Sequence, residues 1–398
     1  MNYKKENTLL NKNLGLARMA VGMTGLCAFI LPLQVIAEVT HDFGGEVYII
    51  NNDNVYKMPG KSLTGISVES GTGSLAGFEY EFLNKFSSVN QFFTNLGFQT
   101  ESYGSKAGDA DTTVFSLDTG FEQTFDVGRS NQIKSSYGVF YDRKDKTYVS
   151  RFTGLIPTSG GQELADRFSF TETGLFAELD YFMGSSVKLS LDIEYKNKDY
   201  TDDYTDLGLT NYDYRQWKIK GAMRYKPNEQ LTFRLELPLA FREYDDRRAQ
   251  DLGGADIIPS DLEYDYTGIE GDVAFEVSDN LQIQVGIALQ NREDNYEGAL
   301  DYDRTTTYVK VGYDADKDRH FNLSYKNRER DYDNATTGGV KRTVSKDSLE
   351  VEYEQTIFKS RIKGLTLRFA YEDTSLDHES PFLSYDQNIF SVGVIWKP

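Results

Sequence analysis

Residues 186–200 read SVKLSLDIEYKNKDY. Val187, Leu189, Leu191, Ile193 and Tyr195 take every second position, and Lys188, Asp192, Glu194 and Lys196 fill places between them. A period of two sends successive side chains to opposite faces of a strand, so one face here is apolar and the other charged. A helix, with its period of about 3.6, would scatter both sets around its surface. The alternation returns at 231–242, where Leu231, Phe233, Leu235, Leu237, Leu239 and Phe241 oppose Arg234, Glu236 and Arg242. It returns again at 281–292, where Leu281, Ile283, Val285, Ile287 and Leu289 oppose Gln282, Gln284, Gln290 and Arg292. These runs exceed the length of an ordinary globular strand, about five or six residues.

Working outward from them, candidate strands fall near 43–52, 73–82, 91–102, 112–125, 131–143, 168–182, 186–200, 212–226, 231–245, 262–277, 281–295, 304–316, 319–332, 345–357, 364–375 and 386–397. The stretch 53–72 has room for one more. Connections near 126–130, 183–185, 227–230 and 278–280 are tight, whereas 144–167, 201–211, 246–261, 333–344 and 376–385 are long and rich in Asp, Gly, Thr and Tyr. Long two-faced strands joined alternately by short turns and long polar loops predict an all-β fold, a transmembrane antiparallel up-and-down β-barrel of about 16 strands, roughly 14–18. Short turns then face the periplasm and long loops the outside, and both chain ends on the periplasmic side require an even strand number.

The first 37 residues have a different character. Lys4, Lys5, Lys12 and Arg18 precede the apolar stretch Met19–Leu31, then Pro32 and a small-residue exit at Ala37, the layout of a cleaved secretory signal peptide. The expected organisation is a signal peptide over 1–37 and one barrel domain over 38–398. Cys27, the one cysteine of the chain, lies in the leader, outside the Leu-x-small-Cys context of a lipoprotein signal, so the mature protein has no disulfide and no thiolate chemistry. The leader carries four cations and Glu6, so removing its net +3 from the formal −19 leaves about −22, a poor match for nucleic acid. A mean hydropathy of −0.53 argues against spanning helices but not against spanning strands, which show lipid only every second residue.

Five outgoing strands finish alike: Tyr195-Lys-Asn-Lys-Asp-Tyr200, Phe241-Arg-Glu-Tyr-Asp-Asp246, Gln290-Asn-Arg-Glu-Asp-Asn-Tyr296, Tyr325-Lys-Asn-Arg-Glu-Arg-Asp-Tyr332 and Tyr371-Glu-Asp-Thr374. Such endings predict tyrosines at the lipid headgroup level with charged sheet continuing above. In this pattern the whole mature chain resembles the porin-like barrels of the Gram-negative outer membrane. Those barrels commonly close on a strand of alternating apolar residues with a terminal aromatic. Phe390, Val392, Val394 and Trp396 match that arrangement, although Lys397 and Pro398 displace the aromatic from the last position. The resemblance implies residence in the cell outer membrane, outer-membrane lipid and lipopolysaccharide as neighbours, and the barrel-assembly machinery as a partner in biogenesis. Homo-oligomerisation stays open, because a single sequence locates no subunit patch. The Tyr/Arg/Asp-rich strand ends are also similar to barrels associated with exopolysaccharide export.

A barrel of this size is too wide for side chains to fill, so inward polar residues would line water. The inner face over 186–245 supplies Lys188, Lys196, Lys198, Lys218, Lys220, Arg224, Arg234 and Arg242 against Asp192, Glu194 and Glu236, with Arg292 farther on. Glu178 and Asp180 precede this basic sector and Glu270, Asp272 and Glu276 follow it, while Lys326, Arg328 and Arg330 are expected to face Glu350, Glu352 and Glu354 on the next strand. Opposed sectors would set a transverse field across a pore; the alternative is cross-strand ion pairing inside an occluded lumen. In general porins the loop between the fifth and sixth strands folds inward. By that resemblance loop 144–167 would narrow the path, with Arg151, Glu163, Asp166 and Arg167 as constriction candidates, although it lacks the acidic Pro-Glu-Phe-Gly-Gly-Asp pattern of enteric porins. An exposed surface loop is the competing reading.

Catalysis finds little support. His41 and His320 sit beside a chain start and a turn, and His378, within Asp377-His378-Glu379-Ser380, has no nucleophile motif with it and reads as a solvated loop residue. Asp314-Ala-Asp316-Lys-Asp318 opens like a calcium loop, but Arg319 stands where glycine is needed and Tyr325 where the closing Glu belongs. Clustered Asp199, Asp202, Asp203 and Asp206, or Asp245 and Asp246, could gather divalent ions bridging lipopolysaccharide, or simply keep a loop hydrated. No cofactor fingerprint is present. The leading expectation is a non-enzymatic, porin-like channel for passive diffusion of small hydrophilic solutes. A polysaccharide exporter and a closed structural or adhesive barrel are the alternatives.

Overall fold

The computed structural model describes residues 38–60, 67–104, 110–128, 130–201, 207, 209, 211–337, 340–357 and 364–398. The expected signal peptide lies outside the described residues. The strands are β1 (Glu38–Asn52), β2 (Gly71–Lys85), β3 (Asn90–Tyr103), β4 (Thr112–Val127), β5 (Asn131–Lys146), β6 (Thr158–Ser159), β7 (Gln162–Glu163), β8 (Phe170–Met183) and β9 (Val187–Tyr200). They continue with β10 (Tyr214–Asn228), β11 (Leu231–Tyr244), β12 (Glu263–Ser278), β13 (Leu281–Asp294), β14 (Tyr302–Asp316), β15 (Arg319–Thr337), β16 (Val340–Ile357), β17 (Leu365–His378) and β18 (Tyr385–Trp396). All but β6 and β7 form one closed antiparallel 16-strand barrel in which each strand pairs with its chain neighbours, β5 pairs with β8, and β18 returns to β1. The two-residue strands β6 and β7 make a small hairpin inside the β5–β8 loop. At the seam Gly45 faces Trp396 and Asn52 faces Ile389, so no edge is left unpaired.

The sixteen expected segments coincide with these barrel strands to within a few residues. The extra strand allowed at 53–72 is absent from its described parts, 53–60 and 67–70. The long loop expected at 333–344 is a correction: the β15–β16 ladder continues to Thr337 and Val340 after a register shift between Asp331 and Thr336. Strands that project beyond a membrane need no apolar face, so hydrophobic alternation does not report them.

The alternation works as the sequence reading required. Phe233, Leu235, Leu237, Leu239 and Phe241 of β11 all point outward and are solvent-exposed in the isolated chain, Leu237 to 50%. Val285, Ile287 and Leu289, Val47 and Ile49, and Phe390 and Trp396 do the same on their strands. From Phe233 to Phe241 the rise of about 3.4 Å per residue, at a tilt of about 40°, gives an apolar band roughly 20 Å tall, close to the ~25 Å band of a lipid-spanning barrel. Burying each such side chain in hydrocarbon contributes on the order of 1.5–3 kcal/mol, so this exterior is stable only in lipid. Trp217, Phe241, Tyr325 and Tyr371 crown the band on its long-loop side. The tight turns lie at the other end; Gly184, at φ +59°, makes the β8–β9 turn in a conformation that costs other residues strain.

The inner face repeats one packing device. A ring on one strand lies against a glycine on the next: Tyr48 at Gly393, Phe93 at Gly120, Phe176 at Gly138, Phe140 at Gly174 and Tyr308 at Gly286. At Gly393 an added Cβ would fall 2.1 Å from the Tyr48 ring. Beside the seam Tyr48, Ile50 and Tyr103 form a small buried cluster with Val55, Leu75 and Ile389 against the inner wall.

Candidate functional site: the barrel lumen

Sequence reasoning placed a basic sector on β9–β11, and the structure neutralises most of it. Lys188 Nζ lies 2.8 Å from Asp180, Lys196 2.7 Å from Glu172, Lys218 2.7 Å from Glu194, and Lys220 2.9 Å from Asp192 and 3.8 Å from Glu236. Lys198 shares Glu172 at 4.0 Å, and Arg234 reaches Asp272 at 3.5 Å. Pairing register explains the order: Lys196 and Gln216 share a row, as do Glu194 and Lys218, then Asp192 and Lys220. Opposite charges therefore meet side by side, and this arc presents little net field. Arg224 sits in register between Lys188 and Arg234. Glu270 and Asp272 each stand 3.3 Å from the Tyr308 hydroxyl.

The expected meeting of Lys326, Arg328 and Arg330 with Glu350, Glu352 and Glu354 does not occur. Antiparallel register puts Lys326 opposite Ser348, Arg328 opposite Lys346 and Arg330 opposite Val344, while the glutamates face Ser324, Asn322 and His320. Matching two charged runs by their order in the chain ignores that the second strand runs backward. Glu352 and Glu354 pair instead with Arg368, the latter at 3.7 Å. Arg304, in register with Arg330, lies within electrostatic reach of Arg328. Among the described residues no carboxylate comes within 4.0 Å of Arg304, Lys326 or Arg328. A basic wall that no carboxylate contacts thus stands on β14 and β15, with Glu270 within electrostatic reach of Lys326.

Half the ring away from β14–β16 are β4, β5 and β8. Their inner face carries Asp118, Asp142, Glu172 and Glu178 together with the inward rings Phe140 and Phe176, and Phe93 of β3 adjoins them. Glu172 is paired with Lys196 and Lys198 and Glu178 lies 3.9 Å from Lys188, which leaves Asp118 and Asp142, among phenyl rings, to confront the arginine and lysine wall, and a dipolar solute between them would be oriented.

Near the long-loop end the wall from β10 to β16 alternates tyrosine and arginine. Arg242 stacks on Tyr214 at 4.3 Å, Arg292 on Tyr264 and Tyr302 at 4.1 and 4.2 Å, Arg330 on Tyr302 at 4.5 Å, and Arg342 on Tyr332 at 4.5 Å. Such cation–π contacts contribute from about 0.5 to 2 kcal/mol each as they lose water. The tyrosines are buried, Tyr264 to 1% exposure; for Tyr214, Tyr244 and Tyr264 this is because loop 245–262 packs on them, adding Ala249 and Leu262 to the same cluster. This amends the expected headgroup belt: Tyr325 and Tyr371 face outward as expected, whereas Tyr244 and Tyr332, close by in the same strand endings, face inward.

Two further loops cover the mouth. Residues 53–60 turn back over the seam, where Asn54 Nδ2 donates to Met58 O at 2.9 Å and to Asp386 O at 2.7 Å, burying Met58. The β5–β8 loop, 147–169, crosses to the same place. Arg151 Nη1 donates to Leu383 O at 3.4 Å and its guanidinium lies 6.0 Å from the Tyr385 ring, while Gly154 packs against the Met58 thioether. Lys57 is within electrostatic reach of Lys146, Arg151 and Lys346, which makes this crossing basic. Of the four loop candidates, Arg151 reaches the far loops. Arg167 packs on Phe168 and Tyr212, and Glu163 and Asp166 are exposed.

No family model and no curated protein sequence matches the chain. Among solved structures it is similar to OccAB1 of Acinetobacter baumannii, with a TM-score of 0.48 and 9% identity over 90% of this chain and 96% of that one. A BenF-like porin from Pseudomonas fluorescens Pf-5 aligns with a TM-score of 0.47 and 12% identity over 91% of this chain and 99% of its own. An anion-selective porin from Comamonas acidovorans aligns with a TM-score of 0.47 and 10% identity over 91% of this chain and 100% of its own.

The other candidates resolve locally. His378 is not a solvated residue: its side chain is 5% exposed, Nε2 accepts from Arg342 Nε at 3.1 Å and Nδ1 faces the Ser380 N–H at 2.9 Å. In the calcium-like turn Asp314 is held by His320 at 2.5 Å and Asp316 by Arg319 at 2.6 Å. Asp202, Asp203 and Asp206 lie outside the described residues. Sequence reasoning missed the inward phenylalanines, because β3 (NQFFTNLGFQTESY) carries aromatics on both faces. Their signal was the glycine facing each of them across the ladder, at 120, 138 and 174.

Proposed function

We propose that this protein is a porin-like channel of the cell outer membrane through which small hydrophilic solutes diffuse. The observation that supports it best is the opposition of two charged walls inside a closed, lipid-compatible barrel, Asp118 and Asp142 with phenyl rings on β4 and β5 against Arg304, Lys326 and Arg328, none of them in contact with an opposite charge among the described residues. A closed structural barrel would have every reason to neutralise that wall, as it does on β9–β11. Three loops folded over the outer mouth favour small solutes over a polymer, which needs a wide continuous bore. In this reading no chemistry is performed, outer-membrane lipid and lipopolysaccharide cover the exterior, and the barrel-assembly machinery inserts the chain.

The test is single-channel current of the refolded mature protein in a planar bilayer under a potassium chloride gradient. Steady conductance is expected. Replacing Arg304, Lys326 and Arg328 together by Gln should move the reversal potential toward cation preference, because it removes positive charge that no carboxylate contacts. A verifiably folded barrel that carries no current would refute the channel.

A further inference from the structure

The phenylalanine-bearing wall contains a recess that the channel reading does not use. It has a volume of about 440 Å³ and its lining includes the rings Phe93, Phe140 and Phe176, the carboxylates Asp118 and Asp142, and the Glu194–Lys218 ion pair, within the size range of small-ligand sites. The Phe93 and Phe176 ring centroids lie 6.2 Å apart. Each of the three rings lies against a glycine of the neighbouring strand, Gly120, Gly174 or Gly138, close to the wall and on its inner face. Glycine is required there, since a Cβ at 174 would fall 2.4 Å from the Phe140 ring.

The charges around the recess divide into spent and unspent. Glu172 is taken by Lys196 and Lys198, and Glu194 by Lys218. Asp118 and Asp142 have no cation within 4.0 Å among the described residues; Asp118 meets the Asn95 amide, and Asp142 faces Ser116 and Glu172 across the ladder. Two carboxylates that no cation contacts, beside three phenyl rings, attract a particular chemistry. An inorganic cation can use the carboxylates but gains little from the rings, an anion is repelled, and a neutral apolar molecule leaves the carboxylates unsatisfied. An ammonium on a small apolar body uses both, its charge shared between carboxylate and ring face and its body laid on the remaining rings.

We propose that this recess is a lumenal binding subsite for organic ammonium ions with a short apolar or aromatic body, a resting place on the path through the barrel. The proposal rests on the channel reading. The cation would sit against β3–β8, facing the basic wall that excludes it from the opposite side.

The experiment adds benzylammonium chloride to the refolded protein in a planar bilayer, with methylammonium and benzyl alcohol as controls. Benzylammonium should interrupt the potassium chloride current at concentrations at least severalfold below methylammonium, and benzyl alcohol should not interrupt it. Asp118→Asn with Asp142→Asn should raise the half-blocking concentration about tenfold. Phe140→Leu with Phe176→Leu should raise it about three- to tenfold, within the range of a desolvated cation–π contact. Circular dichroism and heat-modifiable gel mobility confirm that the variants fold. Equal potency of the two amines, or block unchanged in both variants, would overturn the subsite while leaving the channel standing. If no current flows in potassium chloride the channel reading fails by itself. Calorimetric titration of benzylammonium into the detergent-solubilised barrel then decides the subsite: saturable heat lost in the Asp118/Asp142 variant supports it, and no heat in the unaltered protein overturns it.

Discussion

Arginine substituted at two positions of β13, three residues apart, should have opposite consequences. Val285 points outward, is 52% exposed in the isolated chain, and is flanked in register by Val273 and Val309, which places it deep in the apolar band. Ala288 points inward, with Glu270 and Thr306 beside it. A guanidinium at the lipid midplane costs about 2–4 kcal/mol, so Val285→Arg should shift the folding equilibrium by roughly 30- to 1000-fold. Ala288→Arg gains a carboxylate neighbour and water, and should stay within about 0.5 kcal/mol of the parent. Urea titration of the protein in phosphocholine vesicles, followed by the fluorescence of Trp217 and Trp396, measures both. In water the two positions would be comparably tolerant, because each lies on a solvated face. Equal costs within about 1 kcal/mol would therefore refute the assignment of this exterior to lipid, and the membrane reading with it.

Two other outcomes follow from the inner wall and a loop. Asp180 is 5% exposed and is held by Lys188 at 2.8 Å and by the Ser190 hydroxyl at 2.7 Å; Lys188→Met should cost about 1–2 kcal/mol, less than a fully buried pair because water reaches the amine, and Asp180→Asn in the same chain should recover most of it in a double-mutant cycle. Asp301, in the β13–β14 loop, has its carboxyl pushed up to about 6 from 3.8, chiefly by burial, against the bond that it accepts from the Asp294 N–H at 2.6 Å. The folded loop then binds the proton more tightly than the unfolded one, so the stabilisation is complete below about pH 4 and is lost as pH rises through about 6. Amide hydrogen exchange over 295–300, corrected for intrinsic rate, should show more protection at pH 5 than at pH 7, and Asp301→Asn should abolish that difference.

The fold was legible because one physical rule, apolar residues at every second position, holds over strands of 12 residues or more, as in β18 and β9. It failed where a strand leaves the membrane: the last residues of β15 and the first of β16 have no lipid to face. The lumen was legible by face but not by partner. Alternation assigned Lys188, Lys218 and Lys220 inward, yet whether each is neutralised depends on register, which a one-residue slip would change entirely. Lys326 and Glu350 look paired when two runs are aligned by order and are separate when the second runs antiparallel. Tyr244 and Tyr332 were assigned by residue type to the headgroup level, whereas parity within their strands turns them toward arginine.

The division of each strand into odd and even positions also governs how such a gene can change. Exchange of Leu for Ile, Val or Phe on the outer face, or of one short polar residue for another on the inner, leaves the partition intact, so single substitutions accumulate with few consequences. Deleting one codon within β11 would instead turn Leu235, Leu237 and Leu239 toward water and Arg234 and Glu236 toward lipid on one side of the lesion. Deleting two adjacent codons would restore the partition and only shorten the strand. Surviving length variation in this lineage should therefore come in even steps within the strands and in any step within the outer loops, a bias readable by counting gaps between close homologues.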